Sequence, residues 1–86
     1  MRLVSDSWSV VEDWLARKGP PADQIDAVLT VLTALADDSW STRFRLYNDV
    51  TRRDQILIEA MPGLVVVARF FEDYPDLYQL IYIGIN

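Results

Sequence analysis

Gln55-Ile56-Leu57-Ile58-Glu59-Ala60-Met61-Pro62-Gly63-Leu64-Val65-Val66-Val67-Ala68-Arg69-Phe70-Phe71 decides the fold. Its first half alternates, with Ile56, Ile58 and Ala60 on one side, which is the period of a strand. Pro62-Gly63 follows as a turn: proline presets φ at its second position and glycine supplies a positive φ at its third. Leu64 to Glu72 is then apolar on both faces. Leu64, Val66, Ala68 and Phe70 stand against Val65, Val67 and Phe71, the pattern of a central strand. Two strands and a tight turn make an antiparallel hairpin around which the rest must assemble.

Toward the C-terminus, Glu72-Asp73-Tyr74-Pro75-Asp76 reads as a second turn, and Leu77 to Ile85 as a further strand. The last three strands therefore form an antiparallel meander. On the N-terminal side, Phe44 and Leu46 alternate with Arg43, Arg45 and Tyr47, a half-exposed strand that follows Thr42. Asn48-Asp49 and Arg52-Arg53-Asp54 bracket a polar turn.

Before Thr42 the period is helical. Ile25, Val28, Leu29, Leu32 and Leu35 form one stripe, with Asp26, Thr30, Thr33 and Asp37 opposite. Pro21 and Asp23 suit the first turn of this helix, and Asp37-Asp38 mark its end. An earlier helix carries Trp8, Val11 and Leu15, widened by Val10 and Trp14. Ser9 to Glu12 reads as its capping box, with Asp6 and Ser7 as competing caps. Arg17 and Lys18 complement its C-terminal dipole, and Gly19-Pro20-Pro21 stops it. The short connection predicts a helical hairpin. Arg2 to Ser5 is a short first strand. The expected fold is α+β: a short N-terminal strand, an antiparallel two-helix hairpin, then a three- to four-stranded antiparallel meander. It occupies residues 1–86 as a single domain.

The chain has 86 residues, and 51% of them are hydrophobic, including three Trp, four Tyr and three Phe. That suits one dense core rather than a disordered chain. It has no Cys and no His, which removes disulfides, most transition-metal ligand sets and the commonest general base. No cofactor is expected. Met1 to Asp6 is followed by no apolar h-region, and the longest apolar run is Leu64 to Ala68. The expectation is therefore a soluble, cytoplasmic protein with no membrane contact. Thirteen carboxylates face eight cations, for a net charge of −5. Non-specific nucleic-acid binding is not expected on such a surface, whereas a protein partner is.

No phosphate loop, dinucleotide fingerprint, zinc-protease motif or nucleophile elbow occurs. Asp37-Asp38 and Glu72-Asp73 are paired carboxylates, but both stand where turns favour acidic residues. Arg43, Arg45, Arg52 and Arg53 form the only basic cluster. It is either an anion contact or a solvated face balanced by Asp49 and Asp54. Arg69 interrupts a central apolar strand and is expected to pair with Glu59 across the hairpin. Trp8 and Trp14 belong to the core. Trp40 either caps the core or anchors a partner. Tyr74, Tyr78 and Tyr82 form an aromatic stripe at the sheet's end. The second sheet face offers Val65, Val67, Phe71 and Leu80, with Tyr78 and Tyr82: either an apolar surface for a partner or a second copy, or a face largely hidden by sheet curvature and the short first strand.

The element order resembles the RelE/ParE toxin superfamily of toxin–antitoxin modules. The likeness is carried by Ile58 to Phe70, similar to that family's hairpin of an arginine-rich strand, glycine turn and aliphatic strand. The ending Tyr82-Ile83-Gly84-Ile85 is similar to its closing Ile-Gly-His-Arg. The resemblance implies a toxin that either cleaves mRNA on ribosomes or binds gyrase. This chain departs from it at Glu59 and Met61, where the family often has Arg, and at Ile85 and Asn86, where His and Arg often stand. With one Lys and no His, it lacks the usual means of activating a 2′-hydroxyl. The sequence therefore reads as a small acidic, non-catalytic protein-binding domain, an inhibitor or regulator of the kind phages and mobile elements carry. The alternatives are a type II toxin and a homodimeric structural subunit. The partner-binding candidates are Trp40, Arg43, Arg45, Glu72, Asp73, Tyr74, Asp76, Tyr78 and Tyr82.

Overall fold

The computed structural model describes residues 2–3, 8–37, 39, 44–49 and 52–85. Two helices and an antiparallel three-strand meander make the expected α+β fold. The elements are β1 (Arg2–Leu3), α1 (Trp8–Lys18), α2 (Ala22–Ala36), β2 (Arg45–Asp49), β3 (Arg52–Met61), β4 (Leu64–Phe70) and β5 (Leu77–Ile85). The sheet order is β1-β5-β4-β3-β2, with β1 parallel to β5 and every other pair antiparallel.

Gly19 ends α1 with φ +50, and its N–H donates to the Leu15 carbonyl at 3.2 Å. Pro21 is the N-cap of α2, and its carbonyl accepts from the Gln24 and Ile25 N–H groups. At the far end, Asp37 is the C-cap, and its carboxylate accepts hydrogen bonds from the Ser39 N–H and hydroxyl. Asp37 thus serves the helix exit, in agreement with the turn reading of the carboxylates there.

α2 packs on β3, β4 and β1, while α1 packs on β5. The core joins Val28, Val31, Leu32 and Leu35 of α2 to Ile58, Leu64, Val66 and Ala68 of the sheet. Leu29, expected inside, is exposed because it falls at the margin of that stripe. α1 is turned differently from its expected stripe. Val11 and Trp14 are buried with Val10 beside them, while Trp8 and Leu15 are exposed. At about 100° per residue, Val10, Val11 and Trp14 share one narrow sector, and Trp8 and Leu15 lie outside it. Ser9, the expected cap, lies inside the helix, one residue past its first. Asp6 and Ser7 lie outside the described residues.

The hairpin turn holds Gly63 at φ +83, as a proline–glycine turn requires. A register shift opposite Val67 and Ala68 leaves Ile81 bulged out of the β4–β5 pairing. That bulge changes which residues of β5 face the helices. Tyr78, Leu80 and Ile83 are buried in the core, whereas Tyr82 and Gly84 pair with Val67 and Val65 on the other face. Tyr78 and Leu80 therefore do not contribute to the second sheet face as expected. Nor is the centre of that face open, because Val65 and Val67 are only 3% and 8% exposed. On that face the Tyr82 ring folds over Gly84, where a Cβ atom would collide with it.

Candidate functional site

Burial of the sheet leaves a few large apolar side chains in solvent. Ile81 (39%), Tyr82 (48%) and Ile85 (66%) are exposed in succession along β5. Ile81 and Ile85 edge a groove whose opposite wall is α1. One part, about 230 Å³, lies between Val10, Trp14 and Arg17 of α1 and Ile81 to Ile83. A second part, about 410 Å³, continues past Lys18 and Pro21 to Gly84 and Ile85. Trp14, Lys18 and Tyr82 line both parts.

Among the described residues the groove follows an unpaired strand edge. Among the described residues β1 pairs with β5 only at Leu77 and Tyr78. Beyond Leu80, no described strand lies on the side of β5 away from β4. Arg17 and Lys18, from the last turn of α1, supply positive charge at the rim. Arg17 pairs with Asp13 at 3.6 Å across one turn, an exposed pair worth little. Lys18 has no such partner among the described residues.

The other end of β5 has the opposite character. Residues 71–76 form two successive turns: the Tyr74 N–H donates to the Phe71 carbonyl at 3.3 Å, and the Leu77 N–H to the Tyr74 carbonyl at 3.0 Å. Glu72, Asp73, Tyr74 and Asp76 are all exposed there, Tyr74 at 60%. Arg69 stands at the foot of this loop. Its Nε donates to the Asp54 carboxylate at 3.0 Å, and its guanidinium lies 5.3 Å from the Phe71 ring centre. The expected Arg69–Glu59 pair is not formed. In the β3–β4 register Arg69 faces Gln55, one residue from Asp54, while Glu59 faces Val65.

The candidate residues are thus dispersed. Glu72, Asp73, Tyr74 and Asp76 share the acidic loop, and Tyr82 lies on the groove. Tyr78, 2% exposed, is inside the core, and burial raises the pKa of its phenol. No aromatic stripe joins it to Tyr74 and Tyr82. Trp40 and Arg43 lie outside the described residues. The backbone of Arg45 belongs to β2, opposite Glu59. No group of three or more His, Cys, Asp or Glu that would hold a metal ion occurs among the described residues. No described helix is long and apolar enough to cross a membrane.

The groove residues Lys18, Ile81 and Ile85 went unnoticed as a surface in the sequence. The available signal was Ile81, Ile83 and Ile85 in the strand Leu77–Ile85. No family model, curated protein or solved structure matches the chain.

Proposed function

We propose that this chain is a small acidic, non-catalytic protein-binding domain that inhibits or regulates another macromolecule in the cytoplasm. One observation carries the reading: a groove between α1 and β5 is lined by Trp14, and the exposed apolar side chains Ile81 and Ile85 stand along it. An apolar groove with exposed apolar side chains along it suits a contact surface on a small domain. The acidic loop offers a second point of contact through Glu72, Asp73, Tyr74 and Asp76. Its charge suits a basic cleft on the target and steers association toward it.

In fold, the proposal takes the short N-terminal strand and the strand before the meander as parts of one RelE/ParE-like arrangement. In chemistry it departs from that family's RNases, since the sequence has no His and one Lys. The type II toxin is the competing reading and sets the test. The purified protein is incubated with translating ribosomes and mRNA, and the protein is separately expressed alone in cells. The proposal expects intact mRNA and normal growth. Cleavage that disappears in Arg43→Ala or Arg45→Ala would overturn it in favour of the toxin.

A further inference from the structure

We infer that the groove between α1 and β5 takes an extended segment of the partner protein, added as a strand to the edge of β5 that no described strand covers and carrying carboxylates that meet Lys18. The inference rests on the protein-binding reading above and specifies its contact. The edge decides the backbone of the occupant. From Ile81 to Ile85, β5 is bonded to β4 on one side and has no described strand on the other. Backbone N–H and C=O groups on such an edge pair readily with a further extended chain. In this mode main-chain hydrogen bonds supply affinity and alternate side chains enter pockets. The pockets are present: Val10 and Trp14 of α1 face Ile81 and Ile83 in the first part of the groove, and Ile81 and Ile85 stand exposed along it.

Charge decides between occupants. Lys18 lines both halves of the groove, with Arg17 beside it in the first. A second copy paired through its own β5 brings no carboxylate on that strand, since Leu77 to Ile85 contains no Asp or Glu. It also brings another rim in which Asp13 already pairs with Arg17, so the charge of Lys18 is left facing its own kind. An acidic segment from a different protein satisfies the rim, and a second copy does not.

The test uses the full chain labelled with ¹⁵N and two synthetic decapeptides. Both alternate Val and Thr; one has two Glu at each end and the other two Lys. The account expects amide shifts confined to Ile81–Ile85 and a shift of the Trp14 indole. It expects the Glu peptide to bind about tenfold more tightly than the Lys peptide, and Lys18→Glu to invert that order. Lys18 is exposed, so this variant keeps the fold, and unchanged amide shifts in α2 and β3 verify it. Equal binding of the two peptides, or no shift along β5 with either, overturns the inference. So does a homodimer in sedimentation whose β5 amides are already protected. In each of those cases capture of a partner through another surface still leaves the protein-binding reading intact.

Discussion

The two ends of β5 are unlike. Leu77 leaves a loop of exposed carboxylates and Tyr74, while Ile85 ends beside Lys18 on an apolar groove. At about 3.3 Å per residue, the strand separates these ends by about 25 Å. A net charge of −5 averages over both and describes neither. On the proposed protein-binding reading, the difference divides recognition along a single strand, with steering charge at one end and burial of apolar area at the other. It also relocates the apolar surface. Sequence patterning placed it on the second sheet face, where Val65 and Val67 are in fact already covered.

The comparison assumes that one core holds both ends, and the largest predicted effect tests that. Ile58 is fully buried between α2 and the sheet. Ile58→Ala should cost about 2–5 kcal/mol in urea unfolding. Amide exchange should then accelerate at Leu77 and Ile83 alike, and acceleration at one end alone would break the single-unit picture. Arg69→Ala should separate the ends. The pair with Asp54 is half-exposed, so its loss should cost no more than about 1 kcal/mol. Its mark should be faster exchange of the Leu77 amide, which bonds back to Tyr74, with Ile83 unchanged.

Gly84→Ala acts at the opposite end. The added Cβ forces Tyr82 off the strand. Because Tyr82 is half-exposed and free to swing outward, the stability change should stay under about 1 kcal/mol. Peptide binding in the groove should change while the acidic loop does not. The smallest effect concerns pH. Burial raises the Tyr78 phenol's pKa in the folded chain, so that group's contribution is complete below the unfolded value of about 10. It is lost as pH rises through the folded value. Tyr78→Phe should remove that alkaline component and leave stability near neutral pH almost unchanged, as thermal melts across pH would show.

Where local signals agreed, the fold was legible. Leu77 to Ile85 is a strand with the expected bounds, and the proline–glycine turn and α2 lie where their residues place them. Helix facing was harder, because the apolar residues of α1 surround more than one possible stripe. Only packing on β5 selects Val11 and Trp14 over Trp8 and Leu15. The bulge at Ile81 lies beyond a period-two reading, and it sends Tyr78 and Leu80 inward. Arg69 shows the same limit in its partner, since strand register brings it to Asp54 rather than Glu59. The groove is wholly tertiary. Lys18 reads locally as a dipole complement, and only the packing of α1 beside β5 makes it a rim.

The most direct measurement is affinity capture from source-cell lysate with quantitative mass spectrometry, using wild type, Asp73→Lys/Asp76→Lys and Lys18→Glu as baits. The account predicts one dominant protein held by wild type and reduced by both variants, because both ends of β5 engage it. A capture unaffected by either variant, or recovery of only the chain itself, would contradict the account.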